Sequence, residues 1–225
     1  MGKTWKWEIH SHTRQSSKCG WLDAAESVRL HREHGYDGMV ITDHYNNENI
    51  ARFYGTPLEQ AQAWTGGWRV ARAAAEGTGF TVLFGLEARL QDCDNDYLIF
   101  GVEPEFVLEN PRLNHLSRRE LHALCRAWNA VLIQAHPSRT KCTPADPEDV
   151  DGYEVYNGSV RHENHSDQTK ALADAHPELI QTSGSDFHRP GDVDRGGILT
   201  FDEIHTSAEL AECLRLRRFE RIEKE

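Results

Sequence analysis

Histidines and carboxylates recur in this chain where they could share a metal ion. His10-Ser11-His12 closes a stretch of alternating polarity over residues 5–10. Residues two apart on a strand face the same side, so both imidazoles can converge on one cation. Alone the pair is a weak signal. Asp43-His44 follows an apolar run at 39–42, Glu87 follows one at 80–86, His136 follows 130–134, and Asp186-x-His188 follows 179–182. Potential ligands thus stand repeatedly where strands end, and in parallel barrels those ends form the active face. Mixed imidazole and carboxylate donors suit zinc, manganese or iron, whereas calcium and magnesium take more oxygen ligands. A carboxylate such as Glu87 can bridge two cations ~3.5–4 Å apart, where a bound water becomes hydroxide and attacks phosphorus in line. No G-x-S-x-G elbow or P-loop competes for the role.

Thirteen histidines guarantee that many are ordinary. His31, His34, His115, His122, His176 and His205 fall in helical or helix-end contexts and read as solvent-facing.

Delivering ligands from separate segments to one place requires β-α units, and short apolar runs alternate here with stretches of helical period. Strands are expected at 5–10, 39–42, 80–86, 97–102, 130–134, 153–156, 179–182 and 198–201. Helices are expected at 22–34, 58–76, 117–129 and 168–175, with a last one from Ser207 onward. Ser117 and Glu120 form a capping box, and Gly77 and Gly79 stop the 58–76 helix. Residues 45–57 read as a loop. The basic tail at 215–218 suits a helix C-terminus.

At 225 residues the chain can bury one sizeable core, so residues 1–225 are expected to form a single domain. With 25 Lys+Arg against 36 Asp+Glu, the formal charge is -11, which disfavours bulk nucleic acid as a partner. Bound cations can still accept a small anionic substrate. No run approaches the ~18 apolar residues that span a bilayer, and the first residues lack a signal-peptide core. A cytoplasmic protein without a membrane partner is expected. Five scattered cysteines without C-x-x-C spacing indicate neither a zinc ribbon nor a disulfide framework.

In order along the chain stand EIHSHT (8–13), GYDGMVITDHYN (35–46), FGLEARL (84–90), LIQAHPSR (132–139), DGYEVYNGS (151–159) and SGSDFH (183–188). These segments resemble the polymerase and histidinol phosphatase (PHP) family of metal-dependent phosphoesterases. The resemblance implies an α/β fold, a distorted (β/α)7 barrel with up to three metals at its strand ends. It implies that His10, His12, Glu87 and Asp186 hold one metal, that Glu87 bridges to a second on His136, and that His44 and His188 hold a third. Asp43 becomes a partner behind the ligands. Two positions depart from the family pattern. Cys19 stands where many members help hold the third metal, as a thiolate ligand or as a plain loop thiol. Near Asn95-Asp96 a further ligand of the second metal is missing, for which Asp96 or water can substitute.

The expected cofactors are therefore two or three divalent ions, manganese, zinc or iron, with Glu87, Asp186 and His188 as the catalytic residues. The expected partner is a small phosphorylated substrate. Arg139, Arg161 and Arg195 are its candidate binding residues, because guanidinium forks fit phosphate oxygens. Arg139 reads equally as surface charge, and for Arg161 and Arg195 the surface reading is the favoured one; Lys18 is a weaker candidate, Asn157 reads as a partner behind the ligands or as a turn former, and Glu154 could face either way. The expected reaction is phosphomonoester hydrolysis. The alternatives are phosphodiester or exonuclease cleavage, amidohydrolase chemistry, and a binding module without catalysis.

Overall fold

The computed structural model describes residues 2–91 and 93–224. Its first half runs β1 (Trp5–Ser11), α1 (Ala24–Glu33), β2 (Gly38–Ile41), β3 (His44–Tyr45), α2 (Asn47–Ile50), α3 (Pro57–Trp64), α4 (Gly66–Ala75), β4 (Thr81–Phe84) and β5 (Leu86–Arg89). It continues with β6 (Asp96–Phe100), α5 (Glu105–Glu109), α6 (Arg118–Ala127), β7 (Val131–Gln134), β8 (Gly152–Asn157), α7 (Ser166–Asp174) and β9 (Ile180–Gly184). β10 (Gly196–Thr200), α8 (Ser207–Leu216) and β11 (Phe219–Glu223) close the chain.

The strands form two sheets, β11-β10-β1-β2-β4 and β3-β5-β6-β7-β8-β9. β2 leads into β3 through Thr42-Asp43, and β4 into β5 through Gly85. At the other side Ser11 bridges Phe187 in parallel, and backbone hydrogen bonds of 2.9 Å join His12 N to Phe187 O and Phe187 N to His10 O. The sheets therefore fuse into a ring of seven strand positions: β1, β2/β3, β4/β5, β6, β7, β8 and β9. The barrel is distorted because β6 runs antiparallel to both β5 and β7, an arrangement that needs no crossover helix between β5 and β6. β10 pairs only with the first half of β1, at Trp5–Trp7, leaving its second half to the segment after β9.

Alternation divides the apolar residues. Trp7, Ile9, Val40, Leu83, Leu98, Phe100, Val131 and Ile133 form one cluster with Leu210, Ala211 and Leu214 of α8. Met39, Ile41, Phe84, Ile99, Leu132 and Val155, of opposite parity, pack with helix residues such as Val28, Trp64, Ala71 and Leu121.

The helix expected over 58–76 is two helices that break at Thr65. The reason is Gly67, where a Cβ would stand 2.2 Å from Thr13 Oγ1 and 2.6 Å from Asp43 Oδ2. The chain turns there to let α4 approach the end of β1, with Gly67 N donating to Ser16 Oγ (3.1 Å). The capping box expected at Ser117/Glu120 is made, and Thr56/Glu59 and Thr206/Glu209 form others at the starts of α3 and α8. Residues 45–57 contain the short α2, capped by Asn46. His31 is buried rather than solvent-facing, because it lies on the inner face of α1. Its Nδ1 donates to Ser27 O (2.8 Å) and its ring packs edge-on against Phe187.

Candidate metal centre

A register slip aims the first two ligands. Glu8 pairs with Met39 and Ser11 with Ile41, so three residues of β1 oppose two of β2. Bulges at barrel rims re-aim side chains. Here the inward parity of Trp7 and Ile9 passes to His10 and His12. β8 has a similar slip between Glu154 and Tyr156, which brings both Glu154 and Asn157 to the ligand side. His136 (φ 32°) and Asp186 (φ 54°) adopt the left-handed region immediately beyond β7 and β9. Non-glycine residues held there cluster at functional sites.

Glu87 occupies the centre. Its Oε1 lies 3.3 Å from His10 Nε2 and 3.2 Å from His136 Nε2; its Oε2 lies 2.6 Å from His44 Nδ1 and 3.4 Å from His12 Nε2. Asp186 Oδ1 stands 3.4 Å from His12 Nε2, 3.6 Å from His10 Nε2 and 3.3 Å from His188 Nδ1. Cys19 Sγ is 3.1 Å from His188 Nε2. Four overlapping sets bring ligand atoms within 4.8 Å of one another: His10/His12/Asp186, His10/Glu87/His136, His12/His44/His188 and His44/Glu87/Asp96.

The outer ring nitrogens of His10 and His12 fix their tautomers. His10 Nδ1 donates to Glu154 Oε1 (2.8 Å), whereas His188 Nδ1 stands between Asp186 O (2.8 Å), to which it can donate, and Arg161 Nη2 (3.0 Å), from which it can accept, so either tautomer of His188 finds a partner. Ser17 Oγ donates to Asp43 Oδ1 (2.7 Å), so it accepts from His12 Nδ1 (3.3 Å) and from His44 N (2.9 Å). Each Nδ1 donation leaves an Nε2 lone pair pointing inward, as metal-ligating histidines require. Asp43 stands behind the ligands, also accepting from Thr13 N and Oγ1 at 2.7 Å each. Among the described residues, His10 Nε2, His12 Nε2, His44 Nδ1 and Glu87 Oε2 are buried and make no well-directed hydrogen bond, close though they lie to one another. Burying polar atoms without partners is costly. Shared cations resolve all four at once, so the donor set fits divalent metals.

The electrostatics agree. Burial pulls the His10 imidazole down, but Glu154, Glu87 and Asp186 outweigh it and hold its pKa well above the usual value. Burial and the neighbouring His188 and His44 push His12 well below. Burial raises the carboxyl of Glu87, yet His44 and His10 bring it well below the usual range; for Asp186, His10, Arg139 and His188 do the same. Burial and Arg139 lower His136, but Cys142 and Glu87 prevail and raise it to about 9. Without metal His10 and His136 favour the protonated form and His12 the neutral one, and a cation displaces the extra protons on binding.

Two adjoining cavities of about 370 and 440 Å³ open over the cluster and share Arg89, Asp96, Arg139 and His162. Arg139 is in the wall, its Nη2 donating to Asp186 Oδ2 (2.7 Å) and Asn157 Oδ1 (3.0 Å). Arg161 is there too, tied to Asp192 and donating to Asp186 O (3.0 Å). Arg195 lines neither cavity; its Nε donates to Gly191 O (3.1 Å). Asp96 Oδ2 stands 3.8 Å from His136 Nε2 but is clamped by Arg89, at 2.8 and 2.5 Å. Arg89 escaped sequence reading because it sits at a strand end among ordinary surface charges. Glu154, left open there, is buried and accepts from His136 N (3.1 Å) and Asn157 Nδ2 (2.7 Å) as well as His10.

No family model matches the chain. Over 97 residues, 43% of this chain, the sequence is 30% identical to the PolC-type DNA polymerase III of Thermotoga petrophila, and equally to that of Thermotoga maritima; the match spans 5% of those proteins' length. A two-domain protein of Bacteroides vulgatus that contains a predicted PHP-like metal-dependent phosphoesterase superposes with a TM-score of 0.73 at 17% identity, covering 98% of this chain and 65% of that one. The lesion-specific endonuclease PfuEndoQ of Pyrococcus furiosus gives 0.65 at 13% identity, covering 95% and 56%. An amidohydrolase of Chromobacterium violaceum gives 0.57 at 17%, covering 96% and 98%. The fold is that of PHP-like proteins, in agreement with the resemblance carried by the motifs. Among the described residues, no helix is long and apolar enough to cross a membrane.

Proposed function

We propose that this chain is a metal-dependent phosphoesterase that hydrolyses a small phosphomonoester. The observation that carries the proposal is Glu87, whose two oxygens are ringed by four imidazoles while four inward atoms of the cluster are buried without a hydrogen-bond partner among the described residues. In this reading His10, His12, Glu87 and Asp186 hold one ion, Glu87 and His136 a second, and His44, His188 and Cys19 a third, of manganese, zinc or iron. When bound, such ions supply Lewis-acid charge and an activated water for in-line attack. Asp186 Oδ1 faces the cluster and takes the proton of the attacking water, while Arg139 fixes Oδ2. His188 lines the same cavity and in this reading serves the leaving-oxygen side. Arg139 and Arg161 line the cavity where phosphate oxygens enter; Arg195 has no part.

Cavities of this size take small molecules, and the charge of -11 opposes long polyanions. The fold shared with an endonuclease favours phosphodiester cleavage as the second reading. The scattered spacing of the five cysteines, without any C-x-x-C pair, fits a reducing, cytoplasmic setting. The test is phosphate release from a panel of mono- and diesters by protein loaded with manganese, zinc or iron, beside Asp186→Asn. Metal-dependent turnover of monoesters that the variant loses is the expected result. Failure on every ester with every metal removes the proposal.

A further inference from the structure

At the rim of the cleft, Arg189 lies with its guanidinium carbon 3.8 Å from the centre of the Trp21 ring. Trp21 is 59% exposed, unusual for so large an apolar side chain. Its loop is nevertheless fixed. Trp21 N donates to His188 O (3.0 Å), Arg14 N donates to Leu22 O (2.8 Å), and at Gly20 a Cβ would stand 2.6 Å from the Thr13 carbonyl. The indole is thus held in solvent, one residue from a cluster ligand in space, as a shelf for one guanidinium.

The other arginines of the cleft are committed to carboxylates: Arg89 to Asp96, Arg139 to Asp186 and Arg161 to Asp192. Arg189 lines the same cavity as His44, Asp186 and His188, yet among the described residues no carboxylate lies within ion-pair distance of it. Among the described residues its backbone is tied, with N donating to Asp192 Oδ2 (2.9 Å), while its guanidinium makes no ion pair. In a chain with 36 acidic residues an unpaired arginine at a cleft mouth stands out. Stacking on an indole occupies one face of the guanidinium and leaves its in-plane fork of N–H donors free, the geometry that binds carboxylate or phosphate in bidentate fashion.

We infer that Trp21 and Arg189 form an anion subsite for a second charged group of the substrate, separate from the phosphate at the metal cluster. The inference rests on the phosphoesterase reading and adds a substrate class, esters that carry two anionic groups. Arg189 makes the contact and Trp21 is a positioning residue.

Calorimetry on the metal-loaded protein tests this with propane-1,3-diol monophosphate and bisphosphate, a pair that differs by one phosphate. A dinucleotide with a 5′-phosphate asks whether the second anion can be a phosphodiester. The bisphosphate should bind about tenfold more tightly than the monophosphate, as one charge-assisted bidentate contact provides. Arg189→Met and Trp21→Ala should bring that ratio close to one with metal content unchanged, whereas Trp21→Phe, which keeps an aromatic face, should retain it. A dinucleotide that shares the Arg189-dependent gain assigns the subsite to a polynucleotide backbone; one that does not assigns it to small bisphosphorylated compounds. Equal binding of mono- and bisphosphate by the wild-type protein, or a ratio indifferent to Arg189→Met, overturns the subsite and leaves the phosphoesterase reading standing. Loaded protein that binds neither compound overturns both.

Discussion

Glu154→Gln is a conservative change in size, yet the surroundings of Glu154 make it a severe one. The carboxylate receives three donors, His10 Nδ1 (2.8 Å) on Oε1, and His136 N (3.1 Å) and Asn157 Nδ2 (2.7 Å) on Oε2. Glutamine offers one acceptor oxygen and one NH2. With the NH2 toward His10, that ring must move its proton to Nε2, the nitrogen 3.3 Å from Glu87 that a metal needs unprotonated. With the NH2 toward the other end, two buried donors lose their partner, at roughly 1–3 kcal/mol each. Either arrangement misorients the cluster, and loss of such an outer partner costs about 10–100-fold in metal affinity. Metal affinity by chelator competition and stoichiometry by elemental analysis read the effect, with thermal melts reporting stability. A Glu154→Gln protein that binds metal with wild-type affinity and stoichiometry would refute the claim that Glu154 sets the His10 tautomer.

Three further outcomes follow from separate parts of the structure. Burial pushes the Cys19 thiol up, but contacts with His188 and His44 bring it to about 6. Alkylation of metal-free protein should therefore rise with pH through about 6 and be suppressed by saturating metal; a rate that climbs only in the range of an ordinary thiol contradicts this. At Gly184 a Cβ would lie 2.5 Å from His10 Cβ and 2.7 Å from Glu154 Oε1, so Gly184→Ala should lose about 1–3 kcal/mol in denaturant melts together with bound metal. An unshifted midpoint speaks against that close approach. Burial raises the Asp149 carboxyl, but Arg118 and Arg119 outweigh it and depress the folded pKa. Its stabilisation is present above the unfolded value and is lost as pH falls through the folded one. The stability gap between wild type and Asp149→Asn should thus be full at neutral pH and close in acid below about pH 4; a gap that persists there denies the ion pair.

The candidate ligands were legible because they stand beside apolar runs whose period announces strands, as with Glu87 or His136. Their aim was not. A pattern of period two over 5–10 cannot show the bulge that turns His10 inward beside Ile9, since register depends on the partner strand. Reading ligands at strand exits also overlooks β6, whose reversal brings its first residue, Asp96, to the active face. Glu154 faces the cluster through a second bulge that leaves no mark in composition. The break between α3 and α4 depends on how closely Gly67 packs against Thr13, a tertiary contact that helical periodicity does not report. β11 escaped notice because its residues, Phe219–Glu223, are mostly charged and satisfy an edge rather than a core.

Metal placement tests the account at its centre. Crystals grown with manganese and measured at its absorption edge should show anomalous density beside Glu87, bounded by His10, His12 and Asp186 on one side and His136 on the other. A further peak is expected between His44, His188 and Cys19. Crystals with no anomalous density, or with ions bound away from Glu87, would contradict it.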